Sequence, residues 1–569
     1  MDGNVEWWKT AVFYQIYPRS FADGNGDGMG DFYGMVDRLD VLQNLGVDAI
    51  WLSPHYPSPF VDCGYDISDY EDAAPEYGGM PQFTRFLDEV HKRGMKLILD
   101  LVLNHTSDQH PWFLESKSSL DNPKRNWFIW RKGKGNQPPN NWYSTFGSSA
   151  WTLDPATHEY YYHFFYKEQP DLNWENPDVK KAMFDMVRFW LEMGVDGFRL
   201  DAVGTIYEAA GMPDHLSKYT LEEMYRRDRL ARSSEEHKKI LDDYYEMFHL
   251  QWDQPIVHDL MKELRSLVDE YPDRMMVGES DDIAFYGNGK DELHLNFNFP
   301  LMRTARFTPQ HVRSNQEERL PKLPEGAWPC NTLGNHDSPR MRSQFGDGIH
   351  DEAISRVNLM MLLTLKGTPF LYNGEEFGMS DVHIEALQDF VDPIGITCYR
   401  MEKTIMGSDD VTALEIAAKR SRDKGRNPLQ WSSEPNGGFC PAEVKPWLPM
   451  NPDYADGVNY ADEVVKEDST WNYYRCLIAW RKASPALLLG DQRFIETGDE
   501  DLLGYIRSLE GESCLVLLNM GEKAATYDTG DLLCGKGASH FSTEPDAARW
   551  NSGKLTISAH AGMIFKISA

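Results

Sequence analysis

The strongest constraint on the fold is a unit that recurs along the chain. A stretch with helical apolar periodicity ends in a glycine and runs into a short, almost continuously apolar segment. "FYGMVDRLDVLQNLG" stops at Gly46 and leads into "VDAIWLSP"; "PQFTRFLDEVHKRG" stops at Gly94 and leads into "MKLILDLVLNH". "NPDVKKAMFDMVRFWLEMG" opens on an Asn-Pro helix start and sets Val179, Met183, Met186, Val187 and Trp190 on one face. It stops at Gly194 and leads into "VDGFRLDAV". Glycine after a helix supplies a left-handed cap, and a strand that is apolar on both faces suits a parallel sheet covered by helices. Later strand candidates are "RMMVGES", "ELHLNFNFP", "WPCNTLGNHD" and "TPFLYNGEE". With the aromatic and β-branched "AVFYQIYPRSF" read as the first strand, the total is eight. Eight strands alternating with helices predict an α/β fold of the (β/α)8 (TIM) barrel type rather than an open doubly wound sheet. No GxGxxG fingerprint follows any strand, which weakens the dinucleotide-binding reading further.

A chain of 569 residues, 41% hydrophobic, can bury a large core in two or three domains. The net charge of −32 argues against nucleic acid or an anionic membrane as partner. "MDGNVEWWKT" shows no basic region followed by an apolar run, and no segment is long and apolar enough to span a bilayer. Seven cysteines without a CxxC pair fit a reduced compartment, so a cytoplasmic protein is expected. Cys63 lies beside candidate site residues, but a small buried thiol is its expected role.

Barrel enzymes place their active sites at the C-terminal ends of the strands, and polar residues gather there. The third strand ends in Asp100, Asn104 and His105, the fourth in Arg199 and Asp201, the fifth in Glu279 and the seventh in His336 and Asp337. Any one of these could be a structural hydrogen-bonding group. Carboxylates at several strand ends, with an arginine and two histidines beside them, could hold a metal, but the bulky apolar and aromatic surroundings, with Arg199 two residues before Asp201, suit a neutral, hydroxyl-rich substrate better. Glycoside cleavage is the chemistry for which opposed carboxylates suffice, one ionised and another protonated.

The segments "DLVLNH", "GFRLDAV", "VGES" and "GNHDSPR" resemble, in order, the four sequence regions of the α-amylase superfamily, glycoside hydrolase family 13. "FYQIYPRSF", "GDGMGDFYG" and "IWLSPHYPSP" resemble its α-glucosidase, oligo-1,6-glucosidase and sucrose-acting branch, and "QPDLNWENPDV" and "SRDKGRNPLQW" extend the likeness. The resemblance implies Asp201 as nucleophile, Glu279 as general acid/base and Asp337 as transition-state stabiliser. It implies that Asp62, Tyr65 and His105 clamp the terminal glucose, beside Arg199, Ala202 and His336. Phe146, Phe165 and Gln169 match positions lining the first sugar sites, and Arg422 matches a site arginine. Asn427-Pro428-Leu429 departs from the usual Thr-Pro-Met beside it. The implied activity is a retaining exo-α-glucosidase on small α-glucosides, with Ala202 pointing to α-1,4 links. Transglucosidases, sucrose isomerases and trehalose-forming mutases share the scaffold. "RTARF" at 303–307 lacks the Asp of the isomerase motif. Non-catalytic transporter heavy chains are membrane-anchored with degraded catalytic positions, unlike this chain.

"DGNGDGMGD", residues 23–31, begins like an EF-hand, but the twelfth position is Gly34 and no helix precedes it. The resemblance implies a structural Ca²⁺ held by the side chains of Asp23, Asn25, Asp27 and Asp31 and the Met29 carbonyl. All are hard oxygen donors. The expected organisation is a barrel over 1–105 and 176–487, interrupted at 106–175 by an aromatic-rich insertion resembling the family's B domain. A polar Gly/Pro-rich excursion is expected at about 377–465, and an all-β sandwich at 488–569. The charged segment 220–250 reads as a helical insertion whose charges face solvent. The expected partner is a small α-glucoside, with the protein a monomer or homodimer.

Overall fold

The fold is described from a computed structural model over residues 5–530, 540–551 and 553–567. Eight strands form the central sheet: β1 (Phe13–Ile16), β2 (Ala49–Leu52), β3 (Lys96–Val102), β4 (Gly197–Asp201), β5 (Met275–Gly278), β6 (Leu295–Asn296), β7 (Cys330–Thr332) and β8 (Thr368–Tyr372). All neighbouring pairs are parallel, in the order β7-β8-β1-β2-β3-β4-β5-β6. A parallel bridge from Phe297, just after β6, to Cys330 in β7 brings the two edges together into a barrel.

The recurring unit explains the outer layer. Helix Phe32–Leu45 ends at Gly46 with φ 96°, and helix Pro177–Met193 ends at Gly194 with φ 108°. Each glycine N–H closes the last turn from a conformation that costs side-chain-bearing residues energy. Asn176 caps the second helix by accepting from Asp178 N, with Pro177 at its first position.

Period-two alternation then sorts the strands. Phe198 and Leu200 of β4 pack outward in the core beneath the helices, as do Leu97 and Leu99 of β3. Phe13, Trp51, Ile98, Met275, Val277, Leu295 and Phe370 fill the interior, where Phe13 and Phe370 stack with centroids 4.4 Å apart. The same parity sends Asp100, Arg199 and Asp201 inward above that apolar plug, since Ile98 pairs with Gly197 and Asp100 with Arg199.

Three local expectations are corrected. "AVFYQIYPRSF" is a strand only over Phe13–Ile16; Pro18 starts a single helical turn, Pro18–Phe21, because its ring fixes φ and removes a donor. The excursion after β8 is not simply polar loop: it contains the helices Pro393–Met401 and Asp410–Arg420, capped by Asp392 and Asp409. The segment 220–250 is the pair of helices Leu221–Leu230 and Ser234–Phe248, but it is more than a solvated charged face. Met224, Ile240, Met247 and Phe248 pack against Trp142, Trp151 and Tyr162, and the Arg229 guanidinium pairs with buried Glu402. Within 106–175, the strands Trp130–Arg131, Trp151–Asp154 and Glu159–Tyr162 form an antiparallel sheet. From Asp491 onward, a five-stranded and a three-stranded antiparallel sheet enclose Ile506, Leu515, Leu517, Leu555 and Ile557. The six described cysteines are free thiols, and Cys63 is buried as expected. No helix among the described residues is long and apolar enough to cross a membrane.

Candidate active site

The polar layer at the top of the barrel opens into a cavity of about 530 Å³ lined by Asp62, Tyr65, His105, Phe146, Phe165, Asp201, Ala202, Glu279, Asp337 and Arg422. That volume lies within the roughly 300–1,000 Å³ of small-molecule pockets. The remaining expected residues stand behind this lining. Arg199, His336 and Gln169 are buried and hold the lining side chains.

Arg199 organises one side. Its Nη1 lies 2.6 Å from Asp100 Oδ1 and 2.7 Å from Asp201 Oδ1, and its Nη2 lies 2.9 Å from Glu279 Oε2. Asp201 and Glu279 therefore share one guanidinium. A single cation cannot offset the burial of three acids. Burial pushes Asp201 up to about 6 despite Arg199, and Asp100 also to about 6. Burial pushes Glu279 up to about 8; Arg199 opposes this, while the charges of Asp201 and Asp337 add to it. Arg199 itself stays a cation: burial works against its charge, but Asp100 and Glu279 outweigh it.

The opposite side carries two guanidiniums. Asp337 Oδ1 accepts from Arg426 Nη2 at 2.7 Å and Arg422 Nη1 at 3.3 Å. Burial raises the pKa of Asp337, yet His336, Arg426 and Arg422 together hold it well below the usual carboxylate range. Burial keeps His336 neutral, so the two arginines supply the charge. Arg422 Nη2 also binds Asp62 Oδ1 at 2.7 Å and Asp392 Oδ1 at 2.8 Å. The insertion after β8 is thereby tied to the loop after β2, and that side of the cavity is closed.

Neutral groups fix the remaining walls. Tyr65 Oη donates to Asp100 Oδ2 at 3.0 Å, stands 2.7 Å from His336 Nε2 and stacks on that ring. Gln15 Nε2 stands 2.7 Å from His336 Nδ1 on the far side of the ring. Gln169 Nε2 donates to Asp62 Oδ2 at 3.2 Å and lies 2.9 Å from His105 Nε2. Phe146 and Phe165 are half-buried, with centroids 5.7 Å apart, so they line the cavity rather than vanish into the core. Ala202, directly after Asp201, has φ 41° and ψ 46°, a left-handed conformation rare outside glycine. It aims the Ala202 N–H at Glu279 Oε2, 2.9 Å away.

Asp100, Arg426 and Asp392 were not assigned from the sequence. Asp100 was visible at its strand end. Arg426 lies 89 residues from Asp337 and Asp392 lies 30 from Arg422, too far apart for a local pattern to pair them. Arg303 of "RTARF" also reaches the cavity, where it pairs with Asp281.

The acidic loop folds as nested turns. Asp23 accepts from Gly26, Gly28 and Asp27 N–H; Asp31 accepts from Gly24, Asn25 and Gly34 N–H and caps helix Phe32–Leu45. Asn25 Oδ1 accepts from Asp27 N, and Asp27 Oδ1 from Met29 N. With about four acceptor sites per carboxylate, Asp23 and Asp31 each keep roughly one. Burial and the charge of Asp23 push Asp31 above its ordinary pKa, a cost that a cation would offset. This all-oxygen donor set fits a hard cation. The loop also holds the far insertion: Trp447 N donates to Gly28 O at 2.9 Å.

A barrel whose strand ends carry these carboxylates and arginines is the architecture of a glycoside hydrolase. The chain belongs to glycoside hydrolase family 13: residues 15–490 match the α-amylase catalytic domain family. It is 38% identical over 543 residues to an oligo-1,6-glucosidase of Parageobacillus thermoglucosidasius, covering 92% of each chain. It is 38% identical over 562 residues to an α-glucosidase of Pediococcus pentosaceus, covering 94% of each. The isomaltulose synthase of Protaminobacter rubrum superposes with a TM-score of 0.87 at 35% identity, over 100% of both chains. The trehalulose synthase of Pseudomonas mesoacidophila gives 0.86 at 36%, also over 100% of both.

Proposed function

We propose that this enzyme is a retaining exo-α-glucosidase that releases glucose from the non-reducing end of small α-glucosides. The observation that carries the reading is the shared Arg199 bridge between Asp201 and Glu279, with their pKa values pushed apart. Near pH 7 Asp201 is ionised and attacks the anomeric carbon, while protonated Glu279 gives its proton to the leaving oxygen. Its carboxylate then takes a proton from water, which cleaves the glucosyl ester on Asp201. A short bridge suits the roughly 5–5.5 Å spacing of retaining pairs. Asp337, ionised between Arg422 and Arg426, accepts hydrogen bonds from sugar hydroxyls that strengthen as the ring distorts. The wall closed by Arg422 and Asp62 supports exo action. NMR of fresh product from maltose tests this: α-glucose should form first, and mainly β-glucose would overturn retention.

Maltose is the preferred link in this reading. Ala202 leaves room beside the nucleophile, where a stiff β-branched side chain would press on an α-1,4-linked second sugar. The extra rotatable bond of an α-1,6 link lets that sugar swing clear. The oligo-1,6-glucosidases among the relatives make a linkage panel the direct check.

Transfer is the second reading, because the structural neighbours include trehalulose and isomaltulose synthases, one of them solved with the substrate sucrose. A product profile from sucrose separates glucose and fructose from isomers.

The loop Asp23–Asp31 would hold Ca²⁺ through Asp23, Asn25, Asp27, Asp31 and the Met29 carbonyl, bracing the entry side without entering the chemistry. A chelator should lower Tm and added Ca²⁺ restore it, with no such response in Asp27→Ala. Identical melting with and without chelator would leave the loop as a turn. Free, mostly buried thiols support a cytoplasmic, reducing location; cell fractionation decides it.

A further inference from the structure

Outside the cavity lining, the turn before helix Asp351–Thr364 meets the turn before the last described strand, Ala561–Ile567. Asp347, His350 and His560 converge there, each offering a ligand atom within 4.8 Å of the other two. His350 Nδ1 lies 2.9 Å from Asp347 Oδ2, and the two imidazole rings are 5.2 Å apart between centroids.

His560 supplies an independent observation. It is only 4% exposed, and its Nε2 is buried without a hydrogen-bond partner. A buried imidazole nitrogen left unsatisfied needs an explanation, and a bound ion is one of the recognised ones. Its backbone is held at φ 47°, outside the region a histidine prefers, with its N–H on Gly521 O at 3.2 Å. Arg306 lines the same small crevice as His560. Arg306 pairs with Glu522 at 3.2 Å, which offsets its positive charge.

We propose that Asp347, His350 and His560 bind a borderline-soft divalent cation, Zn²⁺ foremost, and so staple the barrel to the C-terminal β-sandwich. Two imidazole nitrogens and one carboxylate oxygen are a donor set for Zn²⁺, Co²⁺ or Ni²⁺; Ca²⁺ and Mg²⁺ prefer oxygen alone. Three protein ligands leave a fourth position for water. On binding, His350 exchanges its hydrogen bond to Asp347 for the ion. None of the three residues lines the catalytic cavity, so the ion acts on stability.

The test uses the full chain, stripped of transition metals and kept in excess Ca²⁺ so that the acidic loop does not compete. Titration with Zn²⁺ should show one equivalent bound and a rise in Tm, and Co²⁺ should give a visible absorption band. Asp347→Asn and His350→Gln alter exposed side chains and should fold normally, yet each should weaken Zn²⁺ at least about tenfold and abolish the band. His560→Gln should do the same, and maltose hydrolysis should not change in any of them. Failure of the parent to bind Zn²⁺, or equal binding by the parent and His350→Gln, overturns the site.

Discussion

Two arginine centres face each other across the pocket, and they differ in how many cations the key carboxylate meets. Arg199 alone meets Asp100, Asp201 and Glu279, whereas Asp337 is met by both Arg422 and Arg426. On the first side burial wins and the acids are pushed up, Glu279 to about 8; on the second the cations win and Asp337 is pushed down. A carboxyl group is thus a proton donor on one wall and a permanent anion on the other. Pairs of titratable groups driven apart by their surroundings mark the acid and base of a site.

The largest break in that comparison removes the reacting acids. Asp201→Asn should lower kcat on maltose by roughly four orders of magnitude or more, and Glu279→Gln by roughly two to four. The second variant should also melt higher than the parent. Folding raises the pKa of Glu279 from 4.5 to about 8, so the folded state binds the extra proton and parent stability falls as pH rises through that window. Gln removes this loss, and thermal melts at pH 5 and pH 8 read the difference. A near-native kcat in either variant would contradict the assignment.

Unbalancing the other centre should cost less. Arg426→Met leaves Asp337 with one guanidinium; kcat/KM should fall about a hundredfold, with the acid limb of its pH profile displaced upward. In the parent, kcat/KM should be bell-shaped, rising through about pH 6 as Asp201 ionises and falling above about pH 8 as Glu279 loses its proton. These limbs belong to the coupled cluster rather than to single residues. A flat profile between pH 5 and pH 9 would remove the electrostatic contrast.

The smallest effect concerns linkage. One or two methyl groups in a pocket are worth about 1–3 kcal/mol, so kcat/KM for maltose over isomaltose should be tens-fold. Ala202→Val should narrow or reverse it. Valine at φ 41° also strains the backbone, so the ratio of the two substrates is the quantity to compare, not either rate. Faster turnover of isomaltose by the parent would assign linkage choice to another wall.

How much of this was legible depended on distance along the chain. Helix, glycine and apolar strand are local signals, and all eight barrel strands were found from them, although β6 and β7 are only Leu295–Asn296 and Cys330–Thr332. The sequence also put Arg199 and Asp201 at one strand end, and the register of β4 against β3 then shows them on one face. The helices Pro393–Met401 and Asp410–Arg420 were obscured by flanking polar residues, although Asp-Pro at 392–393 and Asp409 before Thr412 are cap signals. Arg426 and Asp392 were not legible as site residues. They act on Asp337 and Arg422 only because a long excursion folds back over the barrel, and no local pattern encodes that return.

The central claim is that Asp201 forms the bond to sugar while Glu279 moves the proton. A fluorinated glucosyl fluoride that loads the enzyme faster than it is hydrolysed traps that bond for peptide mass spectrometry. The mechanism predicts one glucosyl adduct, on the peptide containing Asp201, with none in Asp201→Asn. An adduct on Glu279 or Asp337, or no adduct in an enzyme that turns over maltose, would contradict it.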